Sequence, residues 1–214
     1  MNDKPIRVRV KYAKKGNLRF IGHLDSQRLF ERALRRSKLP LRYTQGFNKR
    51  VRINLASALP LGFTSEAEIF DFWMNEVVEP DIISDRLTRS LPSDIKILSV
   101  ELVDNSLPSL QASLQASDYE IVLPYNDTIE NFEDDFMRLL GKDRIEITRR
   151  NKTIDIKPMI INHEFTQSND GKKLLKIRMS SSASANARPD DLLELLGIDP
   201  ADCKIKRTNL IFEE

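Results

Sequence analysis

Apolar and polar positions change rhythm several times along this chain, and each rhythm predicts an element. IRVRVKY (6–12) places Ile6, Val8, Val10 and Tyr12 on one side and Arg7, Arg9 and Lys11 on the other. That alternation is the period of a half-buried strand. KKGN (14–17) reads as a turn, and LRF either extends the sheet or leads into a helix. Asp25 is the predicted N-cap of that helix, with Leu24 and Leu29 as a hydrophobic staple. Leu29, Phe30, Ala33 and Leu34 form its apolar stripe, and Arg28, Arg32, Arg35 and Arg36 fall near the opposite face. Leu39-Pro40 closes it. Strands are expected near 41–44 and 50–55, and ALPLGFTSEA reads as a turn region. EIFDFWMNE (68–76) alternates again, with Phe70, Phe72 and Met74 opposed to Ile69, Asp71, Trp73 and Asn75. Pro80 opens a second helix, about 80–91, and Ile95 to Val103 returns as a strand.

The order β-α-β-β-α-β predicts two helices on one face of an antiparallel sheet, a ferredoxin-like unit. After DNSLPSLQASLQAS (104–117), which reads as a linker or irregular segment, the rhythm recurs. YEIVLP is a strand, and TIENFEDDFMRLLG is a helix with Thr128 as N-cap and Gly141 at its end. RIEITR, TIDIKPMIINHEFT and KLLKIRMS are strands. Pro189 opens the helix PDDLLELLG, Gly197 ends it, and CKIKRTNLIFE is a final strand. The expected fold is α+β, with two ferredoxin-like units in tandem. The basic N-terminal unit spans 1–105, the linker 106–116, and the C-terminal unit 117–214.

Charge sharpens the picture. Residues 1–54 carry 16 Lys/Arg against 3 Asp/Glu, whereas 55–141 carry 4 against 17. A clustered basic segment attracts polyanions whatever the net charge. The alternative is that the two segments neutralise each other in the fold. A single cysteine, Cys203, rules out an internal disulfide, a cysteine-ligated iron–sulfur cluster and a zinc ribbon. With two histidines, a conventional transition-metal site is not expected either, and no cofactor is expected in this chain. No apolar run is long enough to span a bilayer, and the polar N-terminus lacks the apolar core of a signal peptide. A cytoplasmic location without membrane attachment is the expectation.

Three groups of residues carry candidate chemistry. The cations of the first strand, the helix stripe and the loop QGFNKRVR could share one surface, where arginine forks suit phosphate oxygens. On that surface Arg19, Arg28, Arg32, Arg35, Lys49, Arg50 and Arg52 would hold phosphates, and Gln45 and Asn48 would read base edges. Tyr12, Phe20, Tyr43 and Phe47 lie close by in sequence. They either stack on unpaired bases or, as aromatic residues more commonly do, fill the core. His23, in RFIGHLD, sits where nearby positive charge would favour its neutral form, which suits a general base. Its plainer role is capping or packing beside Asp25. The acidic helix residues Glu130, Glu133, Asp134 and Asp135 read as a solvated face. SSSASANARP (180–189) reads as a flexible loop or a backbone phosphate site. The Walker, GxGxxG, HExxH and GxSxG patterns do not occur.

From Arg7 to Glu68 the chain resembles the "radical SAM-linked protein" family, a bacterial domain. The likeness rests on RFIGHLD, FERALRR, QGFN and PLGFTSEAE, and further on NARPDDLLELLG and KRTNLIFEE. The resemblance implies a radical SAM enzyme with a cobalamin-type domain as companion, fused or separately encoded, and a neighbourhood of RNA-processing and ribosomal-protein genes. With one cysteine, this chain cannot hold the three-thiolate cluster of such an enzyme, so that chemistry would act in trans. Where the family usually has GFNPHP, this chain has Gly46-Phe47-Asn48-Lys49-Arg50-Val51, which exchanges a histidine for cations. The expectation is an accessory protein that binds RNA (tRNA or rRNA) or presents a substrate to a radical SAM protein. Two alternatives remain open. One is a metal-independent endoribonuclease using His23, and the other is a protein-interaction module with a basic docking face.

Overall fold

Alternating apolar positions near the N-terminus build β1 (Ile6–Lys14) in a computed structural model that describes residues 4–124, 131–149, 151–167, 170–182 and 185–213. The chain divides into two compact units, one up to Ser113 and one from Leu114 to Glu213. After β1, the first unit contains a 3-10 turn (Gly16–Phe20), α1 (His23–Arg36), β2 (Ile53–Leu55), β3 (Thr64–Met74), α2 (Pro80–Ser90), β4 (Ile95–Val103) and the short α3 (Leu110–Ser113). Its strands pair antiparallel in the order β4-β1-β3-β2.

Val8, Val10 and Tyr12 of β1 and Phe70, Phe72 and Met74 of β3 share one buried cluster with Phe30 and Leu34 of α1 and Ile83 and Leu87 of α2. Both helices therefore cover the same sheet face. The Tyr12, Phe30 and Phe70 rings meet with centroids 4.6–5.7 Å apart. Burying each phenylalanine contributes about 1.5–3 kcal/mol.

Local chemistry sets the turn into α1. Asp94 accepts hydrogen bonds from the Asn17 and Leu18 amides at 2.9 and 3.3 Å, and its carbonyl accepts one from Lys15 N at 2.9 Å. Gly16, at φ +56°, leaves the space this needs, because a Cβ there would stand 2.5 Å from the Asp94 carboxyl group. The helix starts earlier than its sequence suggests. Gly22 is the N-cap and His23 the first helical residue, which puts Asp25 inside the first turn rather than at the cap. Leu24 is consequently exposed and does not staple the terminus. Of the two strands expected before β3, 41–44 forms only isolated bridges, at Leu41 and Tyr43, and β2 is confined to three residues.

The second unit runs β5 (Leu114–Val122), α4 (Phe132–Leu140), β6 (Glu146–Arg149), β7 (Lys152–Asp155), β8 (Ile160–Gln167), β9 (Lys173–Ser180), α5 (Pro189–Leu195) and β10 (Lys204–Phe212). Its main sheet is antiparallel in the order β10-β5-β9-β8, while β6 and β7 form a separate hairpin. Phe132 and Phe136 of α4 pack edge-on against Phe165 of β8, at 6.0 and 5.3 Å.

Three further expectations change. TIDIKPMIINHEFT is interrupted by a 3-10 turn at Lys157–Met159, because Pro158 cannot donate to a ladder. The segment 106–116 contains α3 and the first residues of β5. α4 begins after Asn131, and Thr128 lies outside the described residues. The α+β class with antiparallel sheets holds. Among the described residues, no helix is long and apolar enough to cross a membrane.

Candidate nucleic-acid interface

The cations of β1 are not available to a ligand as a group. Arg7 and Arg9 lie on the sheet face opposite the helices, and both meet Asp71 of β3. Arg7 Nε and Nη2 donate to Asp71 Oδ2 at 2.8 and 2.5 Å, and Arg9 Nε donates to Oδ1 at 2.9 Å. Arg7 also donates to the Leu107 and Pro108 carbonyls at 2.6 and 2.9 Å. Arg7 and Asp71 are buried, so this pair is internal structure. Part of the N-terminal basic excess is thus neutralised by the acidic segment. Strand alternation also keeps Arg7, Arg9 and Lys11 off the side that bears α1, so the expected single basic surface does not form.

Two exposed clusters remain. The first is a projecting loop from 42 to 52. Its base is tied to the end of β3: Arg42 N donates to Trp73 O at 2.7 Å, and Trp73 N donates to Arg52 O at 3.3 Å. Tyr43 bridges Val51, and Thr44 N donates to Arg50 O at 2.8 Å. The Arg50 amide donates to Thr44 Oγ1 at 3.1 Å. Beyond that closure, Gln45, Gly46, Phe47, Asn48 and Lys49 form an exposed tip, with Gly46 at φ +131°. Phe47 is fully exposed and Tyr43 is also exposed.

Arg52 is held differently. Its guanidinium lies 4.1 Å from the Trp73 ring centroid, while Arg7 approaches the same ring at 5.7 Å. Trp73 is fixed in turn by its Nε1, which donates to Asn105 Oδ1 at 3.1 Å. Arg52 is therefore preset against a buried indole, although the residue is itself exposed.

The second cluster follows α1. Arg28, Arg32, Arg36 and Arg89 border an open groove of about 660 Å³, together with Asp25 and Ser90. Its floor is Leu18, Ile21, Leu29, Leu91 and Pro92. Arg28 pairs with Asp25 at 3.2 Å, and Arg89 with Asp85 at 2.9 Å. Arg36 donates to Ser90 O at 2.5 Å, the kind of contact that satisfies a free carbonyl at a helix C-terminus. Arg32 has no ion-pair partner among the described residues. Arg35 is exposed on the same helix but does not line the groove.

Arg19 stands 4.7 Å over the ring of Phe20, and both are exposed. His23 is exposed at the start of α1, with no hydrogen bond or ion pair among the described residues. The loop and His23 occupy opposite ends of the sheet. The loop base pairs at the Trp73–Met74 end of β3, where β1 begins, and α1 starts just beyond the end of β1. The length of β1, ~27 Å, separates them. Of the four aromatics, Tyr12 is core, whereas Phe20, Tyr43 and Phe47 are exposed, against the expectation of burial. Arg89 was missed by the sequence reading, because it lies in the acidic segment and only the packing of α2 beside α1 brings it to the groove.

Among the described residues, no group of three His, Cys, Asp or Glu side chains is arranged to hold a metal ion. Fold and surface define an α+β protein whose first unit displays its cations on a projecting loop and a helix flank. The chain belongs to the bacterial family described as "Uncharacterized protein conserved in bacteria (DUF2344)", which matches residues 7–189. No curated protein matches the chain at a significant level.

Proposed function

We propose that this chain is a cytoplasmic accessory protein that binds single-stranded RNA on its 42–52 loop and presents it to an enzyme acting in trans. The observation that carries this reading is the company of the loop's cations. Tyr43 and Phe47 are exposed beside Lys49, Arg50 and the preset Arg52. Exposed aromatic rings offer stacking platforms for unpaired bases, while cations track the backbone. Gln45 and Asn48 at the tip supply donors and acceptors for base edges. The family resemblance makes a radical SAM protein the proposed partner, with tRNA or rRNA as the proposed RNA. In the same reading each unit is ferredoxin-like. Two helices against an antiparallel sheet in the order β4-β1-β3-β2, echoed by β10-β5-β9-β8, support it.

Trp73 is the only tryptophan in the chain and touches Arg52, so it reports on this site without a label. Titration with oligouridine should change Trp73 emission as RNA draws on Arg52. Phe47→Ala with Tyr43→Ala should weaken binding by about 1–3 kcal/mol per lost stack. Undiminished affinity in that double variant would remove the loop from the interface.

A further inference from the structure

The α1 groove differs from the loop in chemistry as well as in position. Among the described residues, those that line its floor are aliphatic, with no aromatic ring on which a base could stack. Its four lining arginines face a single lining carboxylate, Asp25. Arg28, Arg32 and Arg36 recur once per turn of α1, at intervals of about 5–6 Å. A second helix laid along α1 has the same pitch, so acidic side chains at its i, i+4 and i+8 positions would meet the three arginines in register. Its apolar stripe would meet Leu18, Ile21, Leu29 and Leu91. Arg89, on the far bank, would close over the acidic flank.

We infer that this groove is a docking site for an acidic amphipathic helix of a protein partner. The mode is a helix in a groove, with apolar anchors below and charge pairing along the rim. Charge complementarity selects this occupant over a neutral or basic segment, and the aliphatic floor selects it over RNA. Asp25 and Asp85 pair with Arg28 and Arg89 in the free protein, and because these pairs are exposed they exchange at little cost for partner carboxylates. The inference is independent of RNA binding at the loop.

A panel of labelled acidic helical peptides tests it, each carrying glutamates at i, i+4 and i+8 and, on the adjacent flank of the helix, a leucine stripe spaced three and four residues apart. Each peptide has a counterpart with glutamine in place of glutamate. Fluorescence anisotropy should show at least one acidic peptide binding the full chain, with its glutamine counterpart about tenfold weaker or more. Arg32→Glu with Arg89→Glu should cost a similar factor, while oligouridine binding to that variant changes less than about twofold. Both residues are exposed, and circular dichroism checks that the variant folds. The inference is overturned if no acidic peptide outcompetes its glutamine counterpart. It is also overturned if oligouridine displaces the peptide and the double variant loses RNA to the same extent, because the groove would then belong to the RNA surface. Sedimentation showing a dimer that the double variant abolishes would assign the groove to a second copy of the chain. A Lys49/Arg50/Arg52 variant measured in parallel separates failure at the loop from failure at the groove.

Discussion

Asp71 is the residue on which the first unit's polar interior turns. It accepts from two arginines while fully buried, and Arg7 also donates to the Leu107 and Pro108 carbonyls. Removing one member of such a group leaves a buried charge uncompensated. Asp71→Ala should therefore destabilise the first unit by about 3 kcal/mol or more, read as a lower urea midpoint with an unchanged slope. None of this was legible in sequence. The alternation of IRVRVKY announced a strand with basic residues on one side, but their partner lies 62–64 residues away. A basic stripe looks the same whether a ligand or a buried carboxylate answers it. Cys203 is a second residue-level case. Burial, and then the carboxylates of Asp202 and Asp199, push its thiol up to about 11. The native thiol should react slowly with iodoacetamide at pH 8 and speed up only toward pH 11. The neutral thiol is favoured in the folded state, so its contribution to stability is complete below about pH 9, the ordinary value, and is lost as pH rises toward 11.

At the scale of elements, apolar rhythm carried most of the information. β1, α2 and β4 match the periodic segments, because burial on one face dictates both the pattern and the element, whereas β3 starts at Thr64, inside the segment expected as a turn, and ends at Met74. Boundaries and connections were less legible. Asp25 resembles an N-cap, yet Asp94 organises the preceding turn so that α1 starts from Gly22. That turn makes its own prediction. Gly16→Ala must adopt a left-handed conformation and press on an Asp94 carboxyl group already bound to two amides. It should cost about 1–3 kcal/mol in urea unfolding. The 42–52 loop was recognisable as a loop with cations, but the exposure of Tyr43 and Phe47 was not. Aromatic residues are usually buried, and only the ladder to Trp73 shows that this segment projects past the end of the sheet.

Across the whole molecule, the separation of charge along the chain survives folding only in part. Arg7 and Arg9 are absorbed by Asp71, and Arg89 from the acidic segment joins the arginines of α1. What remains displayed on the first unit is divided between the loop and the groove, one with exposed aromatics and the other with an aliphatic floor. Sequence counting located the basic excess but could not divide it, because the division depends on which face each element turns outward. The central claim is that the loop holds a single-stranded polyanion. It is tested most directly by the salt dependence of oligouridine binding, measured by fluorescence anisotropy of end-labelled oligouridine for the natural chain and for Lys49→Gln/Arg50→Gln/Arg52→Gln. Three lost phosphate contacts should lower affinity and reduce the slope of log K against log salt by about 2. An unchanged slope and affinity in the triple variant would contradict the account.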